Sequence, residues 1–84
     1  MSIEAYCWAQ QQRTGHPYMK FVLLVLGDHA DQDCMAGVDV DDIAWRTEIP
    51  PDKVEAAIQR LSKAGFVEIL PSGLRVIVPK ERML

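Results

Sequence analysis

PDKVEAAIQRLSKAGFVEILPSGLRVIV, residues 51–78, passes from the apolar spacing of a helix to that of two strands. Val54, Ala57, Ile58 and Leu61 fall at i, i+3, i+4 and i+7, one side of a helix that starts at Pro51, and Gly65 supplies a left-handed stop. Phe66–Leu70 and Leu74–Val78 are runs rich in β-branched residues, and Pro71-Ser72-Gly73 between them is turn chemistry. A helix followed by a β-hairpin is the expectation, with Pro79 closing the second strand and residues 80–84 as a short tail.

Upstream, Glu48-Ile49-Pro50-Pro51 cannot continue a helix, because proline removes a donor and pushes the preceding residue out of helical space. A short helix from Val40 to about Thr47 precedes it, opened by Asp39 and Asp42 in a reciprocal N-terminal cap. Residues 31–37 have no period and read as a loop. Pro17 can open another helix, reaching about Ala30, whose residues Phe21 to Leu26 are apolar around nearly the whole circumference. At the front, Ser2 can cap a first helix with Ile3, Cys7 and Gln11 on one side, ended by Gly15. The shared core expected from these phases is Leu23, Leu24, Leu26, Ile43, Val54, Ile58 and Leu61.

A chain of 84 residues, 49% hydrophobic and 25% charged, has the size and composition of one folded domain, residues 1–84, with a modest core. The longest apolar run, Phe21–Leu26, is far shorter than the roughly 20 residues that cross a bilayer, so no membrane span is expected. The first residues lack the basic and apolar regions of a secretory signal, and a cytoplasmic location follows as the expectation. Two cysteines, Cys7 and Cys34, make no disulfide framework and are expected to stay reduced. The formal net charge of −3 conceals a division: residues 1–27 carry +1, residues 28–55 carry −7 and residues 56–84 carry +3. A charged partner would meet two different faces.

The order helix, helix, short helix, proline-marked turn, amphipathic helix and hairpin is that of a winged helix-turn-helix domain, an α+β, mostly helical fold of about four helices with a C-terminal wing. The run Lys20-Phe21-Val22-Leu23-Leu24-Val25-Leu26-Gly27-Asp28-His29-Ala30-Asp31, with Asp42-Ile43-Ala44, Thr47, Val54, Ile58, Leu61 and Gly65-Phe66-Val67, resembles the winged-helix domains of phage and plasmid replication and regulatory proteins. The resemblance implies that Pro51–Ala64 is the recognition helix and Phe66–Val78 the wing. It also implies a small DNA-binding regulator. Lys53, Ala56, Gln59, Arg60 and Lys63 would then face DNA, while Arg75 and Lys80 hold the backbone.

The residues depart from the family pattern where it matters for DNA. Glu48 stands where a turn glycine is usual and Pro50 where a serine or threonine cap is usual. Asp52 and Glu55 open the recognition helix, and a carboxylate repels phosphate unless it accepts from a cytosine amino group. The alternative expectation is an acidic protein-binding winged helix. It would be a phage-encoded inhibitor, an anti-CRISPR or other anti-host factor, that occupies a host protein's nucleic-acid groove. Its interface would be Asp39, Asp41, Asp42, Trp45, Glu48, Asp52 and Glu55, with Trp45 as anchor. Homodimerisation is left open.

Other chemistry fits poorly. Asp28, His29, Asp31, Asp33 and Cys34 are ligand types, but against a calcium loop Met35 and Ala36 occupy places that need an oxygen ligand and a glycine. No paired-cysteine zinc spacing, phosphate loop or nucleophile motif is present, so neither a metal, a cofactor nor an enzymatic activity is expected.

Overall fold

The computed structural model describes residues 3–78. Its elements run α1 (Ile3–Gln11), α2 (Pro17–His29), β1 (Met35–Ala36), α3 (Val40–Thr47), α4 (Pro51–Lys63), β2 (Val67–Leu70) and β3 (Gly73–Val76). The strands form one antiparallel sheet in the order β1-β3-β2. The class is therefore α+β, mostly helical and winged-helix-like, as the order of sequence signals implies.

α4 is built as its period demands. Val54, Ala57, Ile58 and Leu61 are buried along one side. The Gly65 N–H donates to the Ser62 carbonyl and the Phe66 N–H to the Leu61 carbonyl, the paired closure that a left-handed residue at Gly65 (φ 85°) makes possible. β2 packs against this helix. The hairpin is tighter than its sequence suggests. Leu70 pairs with Gly73, leaving Pro71-Ser72 as a two-residue turn, and the named strands end at Val76 rather than Val78. One further bond, from the Ile77 N–H to the Phe66 carbonyl, prolongs the ladder.

α3 opens with one half of the expected cap, the Asp42 N–H donating to Asp39 Oδ1 at 2.9 Å; the return bond from the Asp39 N–H to the Asp42 carboxylate is not made. It ends without a glycine: Glu48 takes the left-handed conformation itself, at φ 61°. The buried Thr47 hydroxyl fixes the turn, donating to the Ile43 carbonyl at 2.7 Å and accepting the Ile49 N–H at 3.2 Å. The turn between α3 and α4 is thus made by one hydroxyl and one left-handed residue.

Three expectations are corrected. In α1 the inward residues are Ala5, Trp8 and Ala9, while Ile3 is 70% exposed and Cys7 is also at the surface. Small residues face α2 because a Cβ added at Gly27 would stand 3.0 Å from the Ala5 carbonyl oxygen; the helices touch backbone to backbone. In α2, Met19, Val22, Leu23, Leu26 and Gly27 are buried, Leu24 only partly so, and Phe21 is 47% exposed, so the helix has an outer side. Of the expected core only Leu24 falls short of full burial. Finally, residues 31–37 are not all loop: Met35 and Ala36 form β1 against Arg75 and Leu74. Asp31 Oδ1 accepts the Asp33 and Met35 N–H groups, which bends the chain into that strand. The proposed Ser2 cap, Pro79 and the tail lie outside the described residues. Among those described, no helix is long and apolar enough to cross a membrane.

Candidate nucleic-acid interface

With one side of α4 locked in the core, its geometry dictates what faces outward. At 3.6 residues per turn, Asp52, Ala56, Gln59 and Lys63 form the row opposite the buried one, and all four are exposed. Lys53 and Arg60 stand on one flank of that row and Glu55 and Ser62 on the other. The expected DNA-facing residues of α4 are therefore on one accessible surface, but so are both carboxylates.

The Lys53–Arg60 flank borders a groove of about 380 Å³ lined by His16, Tyr18, Met19, Lys53, Ala56, Ala57 and Arg60. The start of α2 supplies its far wall. His16 is held there because the Tyr18 N–H donates to its Nδ1 at 3.1 Å, capping the helix, and its ring meets the Tyr18 ring edge-on at 5.2 Å. Sequence reasoning missed His16, Tyr18 and Met19, and the signal for them was slight: an aromatic pair bracketing the Pro17 that opens α2. Lys20, nearby, is committed elsewhere. Its ammonium donates to the carbonyls of Ala9, Gln10 and Gln12, closing the C-terminus of α1.

Arg75 is not part of this surface. It lies across the wing from Glu68, its directly opposite neighbour in the register, with Nε 3.3 Å from Glu68 Oε1. The pair sits in a second groove of about 720 Å³, beside Ser62, Ile69, Ile77 and Cys34. Burial, reinforced by the Asp31 and Asp33 carboxylates, pushes the Cys34 thiol up, so it stays protonated further into the alkaline range. No disulfide joins it to the exposed Cys7. Lys80 lies outside the described residues.

The acidic candidates form two groups. Asp41, Asp42 and Trp45 are exposed on α3, with Glu48 exposed at its end; Asp52 and Glu55 are exposed on α4. Asp39 is also exposed, but its carboxylate is engaged as the α3 cap. Among the described residues, no three His, Cys, Asp or Glu side chains converge as a metal site would require. No family model, no curated protein and no solved structure matches this chain.

Proposed function

We propose that this protein is a small winged-helix regulator of the phage and plasmid type that binds double-stranded DNA, with α4 entering the major groove. The observation that carries this reading is the outward surface of α4. Ala56 is small enough for close approach, Gln59 has the paired donor and acceptor that read adenine, and Lys53 and Arg60 on one flank, with Lys63 farther along the row, supply phosphate contacts. Asp52 and Glu55 restrict the acceptable sequence, since each is tolerated only where it meets a donor such as a cytosine amino group. Arg75, tied to Glu68, contributes less than a free arginine would. A salt-dependent titration on a mixed duplex pool tests the reading. Three phosphate contacts correspond to a slope of about −2.7 in log affinity against log salt. Absence of duplex binding at low salt would overturn it.

A second reading is favoured by the concentration of carboxylates around α3 and the start of α4. In it the same fold occupies the basic nucleic-acid groove of a host protein, as an anti-CRISPR or other anti-host inhibitor would, through Asp41, Asp42, Trp45, Glu48, Asp52 and Glu55. Removing acids would then weaken the complex, the opposite of their effect on DNA.

A further inference from the structure

Trp45 is the most exposed large hydrophobic residue among those described, at 82%. It projects from α3 opposite the buried Ile43 and Thr47. Asp42 and Asp41, three and four residues before it, share its side of the helix, Glu48 borders it beyond the helix end, and the exposed Arg46 lies beside it, so acids outnumber the neighbouring cation. An indole in a predominantly acidic surround is complementary to a groove of mixed apolar and cationic lining, and this chain has one. The groove between α2 and α4 is lined by Met19, Ala56 and Ala57, by the His16 and Tyr18 rings, and by Lys53 and Arg60. Its 380 Å³ is the size of the smaller ligand pockets.

We propose that Trp45 of one copy docks in the Lys53–Arg60 groove of a second copy. The two cations meet the face of the indole, where ring and charge attract, and they pair at the same time with Asp41 and Asp42 of the incoming helix. The interaction goes beyond the DNA reading and competes with it, since both use Lys53 and Arg60. It is measured without DNA, so either can fail alone. A single knob in a single groove makes a small interface, so reversible, weak association is expected.

Sedimentation of the whole chain, over a concentration series reaching the millimolar range, should show mass rising with concentration. Tryptophan emission should shift to the blue in parallel, reporting Trp45 because Trp8 is already buried. Trp45→Ala lacks the knob and Arg60→Glu lacks the groove's charge, and each alone should associate at least about tenfold more weakly. Both sites are exposed, so both variants should remain folded. Mixing the two variants should restore association, because Trp45→Ala keeps a groove and Arg60→Glu keeps a knob. A chain that stays monomeric throughout, which would leave Trp45 for a foreign partner, overturns the proposal. So does association that Trp45→Ala leaves unchanged, or a mixture that associates no better than its components.

Discussion

Arg75 Nε lies 3.3 Å from Glu68 Oε1 across the two long strands of the wing, so the wing's arginine faces solvent already paired. The partnership follows from the turn: with Leu70 opposite Gly73, residues 68 and 75 must stand side by side. Both are about half exposed, and such pairs contribute at most about 1 kcal/mol to stability. Glu68→Gln should therefore leave the unfolding midpoint nearly unchanged. In the DNA titration it should strengthen binding and steepen the salt slope by about 0.9, one additional phosphate contact. An unchanged slope would mean that Arg75 does not reach DNA even when released.

The three carbonyls that Lys20 closes at the end of α1 make it a structural cation rather than a binding one. Lys20→Met keeps the aliphatic stem and removes the donors. The expected loss is about 1 to 2 kcal/mol in denaturant unfolding, with no change in duplex affinity or its salt dependence. A reduced salt slope would instead place Lys20 among the phosphate contacts.

Gly27 marks the closest approach of α1 and α2. An alanine there would press its Cβ against the Ala5 oxygen and the Tyr6 Cα, both backbone atoms that cannot rotate aside. The gain in helix propensity, about 1 kcal/mol, is outweighed by a packing cost of about 1 to 3 kcal/mol, so Gly27→Ala should lower stability. A stabilised variant would show that α1 can move away at no cost.

Glu48 holds a left-handed conformation, which costs a residue with a Cβ about 1 to 2 kcal/mol. Glu48→Gly removes that strain at the expense of a more flexible unfolded chain, for a net stabilisation of about 0.5 to 1 kcal/mol by thermal or denaturant unfolding. Destabilisation would mean that the glutamate side chain makes a compensating contact.

These positions show why parts of the molecule were legible in the sequence and others were not. α4 and the hairpin were readable because each declares its own period, and Gly65 ends the helix by a local rule. β1 was not: two residues carry no period, and Met35–Ala36 becomes a strand only because the edge of β3 is there to pair with. The face of α1 was misread because hydrophobicity weights Ile3 over Ala5, whereas a glycine on the neighbouring helix selects for small residues. On the candidate surface, the outward residues of α4 followed from its phase, but the α2 wall formed by His16 and Tyr18 comes from sequence about forty residues away and needed the tertiary fold.

If the outer surface of α4 reads DNA as proposed, it does so despite its carboxylates, and the sign of one double substitution separates that reading from the protein-partner one. Asp52→Gln with Glu55→Gln removes two negative charges from exposed positions without touching the buried row. Measured by titration of a duplex pool at two salt concentrations, the double variant should bind more tightly than the parent, and the gain should shrink as salt rises. Weaker duplex binding by the double variant, or a parent chain that binds no duplex even at low salt, would contradict the DNA reading.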